Sequence, residues 1–239
     1  FLLRNADIYS YLPDPTIPPE AIKPVTVIYD AAADGGRLPS DRKIPEDQRF
    51  VCTSPPAAYN LVAEEGGGRV YLDLWSVSER GASAACARNE QWLDSTDWCL
   101  ETWLRVVDNG DEPNYGLAVA MRPDEGQKCV ALYLSDNAIG FNSTLGLTDH
   151  QTLRKVPFNT TDDFHWYRMV HKGGADGVVV LSVDGVERCR IPMAELFARQ
   201  GSGGNIMFGP NAARRSGRIH VMKFGYRIGQ TGTLFGPIE

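Results

Sequence analysis

Glu101, Trp103 and Arg105 alternate along the run 98–107. If that run is a β-strand, every second side chain shares a face, so the three project together. An indole that can lie on a pyranose ring, between a carboxylate and a guanidinium that can read hydroxyl groups, is a saccharide-contact set. The competing reading is that the second sheet or the long N-terminal loops cover this face, with Trp103 buried beneath them. Other aromatics available for the same work are Trp75, Trp92, Trp166, Tyr115, Tyr133 and Tyr226, with Arg168, Asn114, Asn137 and Asn142 as polar partners. His165 and His171 fall on one face of another run with Tyr167 between them, which suits a general base but also a strand with half-buried polar positions. Arg214, Arg215, Arg218 and Lys223 form a basic cluster, read either as a solvated turn or as a contact for an anionic glycan.

The chain that must position these groups has 239 residues, 43% of them hydrophobic and 10% aromatic, enough for one sizeable core. A formal net charge of -6 argues against a nucleic-acid binder, which needs clustered Lys and Arg against phosphates. No apolar run reaches the roughly 18 to 20 residues a spanning helix requires, so the mature chain reads as one without membrane insertion. Residues 1–4 are too short for a signal peptide, although they could be the remainder left after one is removed. Five cysteines, at 52, 86, 99, 129 and 189, leave at least one unpaired within the chain. They read as buried thiols or, in an exported protein, as one or two disulfides of open pairing. The sequons at Asn142 and Asn159 carry meaning only in a eukaryotic secretory host.

Pro13, Pro15, Pro18 and Pro19 rule out a helix or central strand near the start, so residues 1–23 read as an extended arm, 24–229 as one domain and 230–239 as a tail. Within the domain, strand-like runs alternate with Gly, Asn, Asp and Pro turns: 25–31, 69–76, 98–109, 115–122, 128–135, 138–141, 165–171, 177–183, 187–191, 205–208 and 218–228. Trp98, Leu100, Thr102, Leu104 and Val106 make the natural core face of their strand, and Val179, Leu181 and Val183 do so in another. Asp184-Gly185 supplies the positive-φ turn of a tight hairpin between the last of these and its successor. A short helix is expected only around 193–200, after Pro192. The fold class is all-β, a two-sheet antiparallel sandwich with minimal helix.

The segment Phe164-His165-Trp166-Tyr167-Arg168-Met169-Val170, followed by Gly173-Gly174, the run 178–183 and Asp184-Gly185-Val186, resembles the hairpin signature of laminin-G-like domains in the concanavalin A-like superfamily. The closing runs 204–209 and 217–228, and the strand around Glu101 and Trp103, are similar to that family as well. The resemblance covers about residues 25–229 as architecture, and residue matches concentrate in the last third. It implies a jelly roll, a secreted, periplasmic or cell-surface location, and a glycan or a surface protein as partner. It makes a structural calcium compatible with the chain, with Asp30, Asp34, Asp41, Asp108 and Asp111 as loop acids that could contribute. Glucanases of this superfamily carry an E-x-D-x-x-E or E-x-D-x-E strand, whereas Trp103 stands two residues after Glu101, so the paired-carboxylate chemistry has no linear motif here. The preferred expectation is therefore a non-catalytic recognition module. The alternatives are a glycan-active hydrolase or lyase whose acids come from separate strands, and a structural domain of a larger surface protein.

Overall fold

The computed structural model describes residues 24–52, 59–64, 68–76, 86–90, 92–108, 117–122, 128–144, 150–196, 205–209 and 217–236. The arm at 1–23, Asp111, Arg214 and Arg215 lie outside them. The strands are β1 (Val25–Asp30), β2 (Val51–Cys52), β3 (Tyr59–Ala63), β4 (Val70–Ser76), β5 (Cys86–Asn89), β6 (Trp98–Asp108), β7 (Leu117–Arg122), β8 (Val130–Ser135), β9 (Ala138–Thr144), β10 (His150–Pro157), β11 (His165–Lys172), β12 (Val178–Val183), β13 (Val186–Pro192), β14 (Asn205–Phe208) and β15 (Gly217–Ile228).

They build two antiparallel sheets. One has eight strands in the order β13-β12-β11-β6-β15-β4-β3, with β1 also on β15, and the other has seven in the order β10-β9-β8-β7-β14-β5-β2. Strand β15 is the spine of the larger sheet. Along one edge it pairs with β6 from Arg218 to Ile228, while along the other β4 takes its first half and β1 its second.

Period-2 alternation explains which faces are buried. Leu100, Leu104, Val106, Met169, Val179, Leu181, Val183, Phe224 and Tyr226 of the eight-stranded sheet meet Leu132, Leu134, Ile139, Phe141, Ile206 and Phe208 of the other in one core. Phe208 and Phe224 stack across it with centroids 4.3 Å apart, and Phe50 sits edge-on to Phe208 at 5.3 Å. Thr102 is buried on the same side as Leu100, and its hydroxyl donates to the Lys223 carbonyl at 2.9 Å, beside the register shift between Val221 and Lys223.

The hairpin forms as its sequence dictates. Asp184 (φ 52) and Gly185 (φ 78) both take the left-handed region, and Val183 pairs with Val186. Of the helix expected at 193–200, the described residues show a single 3-10 turn, Met193–Glu195, after which Leu196 returns to extended backbone and buries its side chain in the core; 197–200 lie outside the described residues. Cys52 and Cys86, opposite each other on β2 and β5, form a disulfide, while Cys99, Cys129 and Cys189 remain thiols.

The bulge in β10 falls between Leu153 and Lys155, with Arg154 at φ 49. It is accommodated by Gly140 of β9, where a Cβ would lie 2.3 Å from the Arg154 carbonyl oxygen. Gly140→Ala is expected to cost about 2 kcal/mol or more through that backbone clash. Urea unfolding checks it, and an unchanged midpoint would mean the bulge can slide off Gly140.

Candidate functional site

The outward face of the eight-stranded sheet carries the residues singled out in the sequence. Glu101 on β6 lies between Arg168 of β11 and Gly225 of β15 in the register, and Trp103 lies opposite Trp166. Alternation aims Trp166 and Arg168 outward together with Glu101 and Trp103, which assembles two indoles, a carboxylate and a guanidinium on two adjacent strands.

This part of the face is closed by the chain's own residues 231–236. Glu101 is 0% exposed and accepts four hydrogen bonds: from the Trp166 indole at 3.0 Å, Arg168 Nε at 3.0 Å, and the backbone N–H groups of Leu234 at 2.9 Å and Phe235 at 3.0 Å. Trp103, 7% exposed, donates its indole N–H to the Gly236 carbonyl at 3.2 Å. Arg168 Nη2 donates to the Thr231 carbonyl at 2.6 Å and the Cys99 thiol to that of Gly232 at 3.2 Å. Gly225 makes room for the segment, since a Cβ there would meet Phe235 at 3.1 Å and Leu234 at 3.3 Å. Burial, ahead of the nearby Glu101 charge, pushes the Cys99 thiol up to about 11, so it is an inert thiol here.

Arg105 sits at the end of the face away from Glu101's clasp. Its guanidinium lies 5.3 Å from the Phe164 ring centroid, which Arg69 also approaches at 5.4 Å. Phe164 belongs with Tyr71, Trp103 and Trp166 to an outer-face aromatic cluster separate from the main core. His220 stacks on Tyr71 with centroids 4.2 Å apart, and its Nδ1 is 3.1 Å from Arg105 Nη2. A guanidinium can only donate, so Nδ1 is the acceptor and the proton sits on Nε2. Nε2 stands 3.4 Å from an Asp73 oxygen without hydrogen-bond geometry, which makes this contact a proximity of a neutral ring and a carboxylate, not an ion pair. Asp73 is instead held by Arg218 in a bidentate pair at 2.8 and 2.6 Å. Burial, helped by the Arg105 and Arg218 charges and opposed by Asp73, pushes the His220 imidazolium down to about 4.

Several of the other candidates have structural partners, while Asn114 and Tyr115 lie outside the described residues. His171 is buried, with its ring nitrogens 2.9 Å from the carbonyls of Thr96 and Gly174. His165 lies between Asp184 at 2.7 Å and Asp162 at 2.9 Å. Its burial lowers the imidazolium's pKa, but the two carboxylates outweigh that and raise it overall. Trp92 and Tyr226 are core residues, and Lys223 pairs with Asp30 at 2.9 Å. Three of the loop acids proposed for calcium cap turns: Asp30 accepts from Ala32 and Ala33, Asp34 from Asp30, and Asp41 from Lys43. Among the described residues no group of three or more His, Cys, Asp or Glu could hold a metal ion.

Fold and face together define an antiparallel β-sandwich whose larger sheet carries an aromatic and charged outer surface. No family model matches the chain, and no curated protein does. Solved structures do. A carbohydrate esterase from a Shiga toxin-encoding bacteriophage, phi24B, is similar at 12% identity and a TM-score of 0.57, covering 85% of this chain and 98% of that one. A protein of unknown function from Shewanella oneidensis MR-1 is similar at 11% identity and a TM-score of 0.55, covering 90% and 91%. The binding domain of botulinum neurotoxin serotype G matches at 12% identity and a TM-score of 0.50, over 83% of this chain and 46% of that one. At these identities the likeness establishes the β-sandwich fold.

Glu101→Ala leaves four donors without their acceptor and is expected to cost about 3–5 kcal/mol. Urea unfolding would show it, and a loss under about 1 kcal/mol would mean the clasp is not structural. Two histidines of this sheet, His220 and His165, give opposite pH signatures. The folded pKa of His220 is depressed, so its contribution is present above its ordinary value of 6.5 and is lost as pH falls toward about 4. The folded pKa of His165 is raised, so its contribution is present below 6.5 and is lost as pH rises through the folded value. His220→Gln should therefore flatten stability on the acid side and His165→Gln on the neutral side, read as denaturation midpoints from pH 4 to 8.

Proposed function

We propose that the chain is an exported, non-catalytic saccharide-recognition module of the concanavalin A-like, laminin-G-like type, and that it contacts its ligand through the outer face bearing Glu101, Trp103 and Arg105. The observation that carries this reading is the gathering of Trp103, Trp166, Tyr71 and Phe164 with the Arg105 and Arg168 guanidiniums on one sheet face. Aromatic faces for pyranose rings and planar donors for hydroxyl groups are what saccharide recognition demands. Arg105 is the accessible end of the set, half-buried, and its hydrogen-bond partner on this face is a neutral imidazole.

The Cys52–Cys86 disulfide supports an oxidising compartment, and with it export. The esterase of phi24B, whose fold this chain shares along nearly that protein's whole length, supports a carbohydrate-linked role. Glu101 favours recognition over hydrolysis. With both oxygens engaged by N–H donors, it has the environment of a structural carboxylate, not of a proton shuttle.

A glycan array run beside hydrolysis assays on the retained polysaccharides tests the proposal. Binding without turnover is expected, with Arg105→Ala weakening it about tenfold or more, the scale of one charge-assisted contact. Turnover abolished by Glu101→Gln, or no retention on any glycan, would overturn it.

A further inference from the structure

Residues 231–236 are attached to the sheet in an unusual manner. Among the described residues, the strap's hydrogen bonds run to side chains of the face: Glu101, Arg168, Cys99 and Trp103. Its link to the fold's backbone comes just before, where Gly229 (φ 80) donates to the Asp97 carbonyl at 2.8 Å, and Gly229 and Gln230 are both exposed. A segment bonded this way is held as a bound peptide is held, by receptor side chains instead of a ladder. Gly232 and Thr233 are exposed, and Leu234, Phe235 and Gly236 are only half-buried, so lifting the strap breaks few apolar contacts. Segments of that kind open locally at a free energy well below that of global unfolding.

The groups the strap occupies are those with which a saccharide would be read. Both oxygens of Glu101, one nitrogen of Arg168 and the indole N–H of Trp103 are spent on strap backbone, and Trp103 and Trp166 are covered. We propose that residues 231–236 are an intramolecular stand-in for ligand, covering a cryptic saccharide subsite formed by Glu101, Trp103, Trp166 and Arg168 that extends the exposed contact at Arg105. This rests on the saccharide reading of the face. A saccharide engaging Arg105 gains the inner groups only when the strap lifts, and the apparent affinity is the intrinsic affinity reduced by the open fraction. Loosening the strap tightens binding, and pinning it weakens binding.

Cys99 reports on the strap, because its sulfur lies 3.2 Å from the Gly232 carbonyl oxygen. Leu234→Pro, which removes one of the strap's two N–H donors to Glu101, should loosen the strap. Phe235→Gly, which removes the ring beneath Lys223, should release it. The full chain in all three forms is titrated with cello-, xylo- and chito-oligosaccharides and with a heparin oligosaccharide. In parallel, maleimide labelling of Cys99, located by peptide mass spectrometry, reports strap opening without any ligand.

The expected result is tighter binding and at least tenfold faster Cys99 labelling in both Leu234→Pro and Phe235→Gly than in wild type. Wild-type affinity in both variants despite faster labelling would overturn the proposal, as would Cys99 labelling that needs global unfolding in both wild type and Phe235→Gly. If labelling shows the strap lifting while no probe binds any form, the saccharide reading of the face fails and the subsite with it. Strap motion would then stand alone.

Discussion

The buried carboxylate of Glu101 is the constraint on which the outer face depends. An ionised group removed from water is tolerable only when its lone pairs are met by donors, and the surroundings of Glu101 meet them from two sides. Trp166 and Arg168 come from the neighbouring strand β11, and two consecutive backbone N–H groups come from the strap. The cost of dehydrating one carboxylate is thereby tied to the placement of an indole, a guanidinium and a chain segment. None can leave without exposing the others to that cost. Gly225 eases the arrangement, since a Cβ there would press on the Val27 carbonyl oxygen and on the side chains of Phe235 and Leu234.

Strands with strong alternation and explicit turns were legible in the sequence. The runs ending in β6, β11, β12 and β15 emerged within a residue or two of their expected bounds, and Asp184-Gly185 made its turn. The strands not foreseen are those where the physical signal is weak. Strand β5 is Cys-Ala-Arg-Asn, without a β-branched residue, and β2 is only two residues long. Strand β10 hides its alternation behind the bulge at Arg154, and β3 is a five-residue strand at a sheet edge.

At the site, the sequence revealed a shared face and concealed its cover. Period-2 spacing was enough to place Glu101, Trp103 and Arg105 on one side of β6. That Arg168 and Trp166 would complete the set depends on the register between β6 and β11, which pairs positions more than sixty residues apart. The cover comes from residues that look like a glycine-rich tail. Its role rests on side-chain hydrogen bonds to backbone, an interaction that leaves no periodicity in a sequence. His220 was likewise mute, because its neutral state follows from its burial and from Arg105 on the neighbouring strand.

Strand β15 holds together strands from opposite ends of the described chain: β1 at residues 25–30 pairs with residues 223–228, and β4 with 217–221. During synthesis from the ribosome, Val27 and Tyr29 therefore emerge long before the strand that buries them. The larger sheet is divided into unconnected parts, β1 and the β4-β3 pair on one side and β6-β11-β12-β13 on the other, until β15 arrives between them. Contacts so distant in sequence close slowly, and their apolar faces stay open while they wait. A nascent chain of this design needs chaperone shelter for nearly its full length, and a ribosome stalled before residue 217 would release a species with both sides of its core exposed to aggregation.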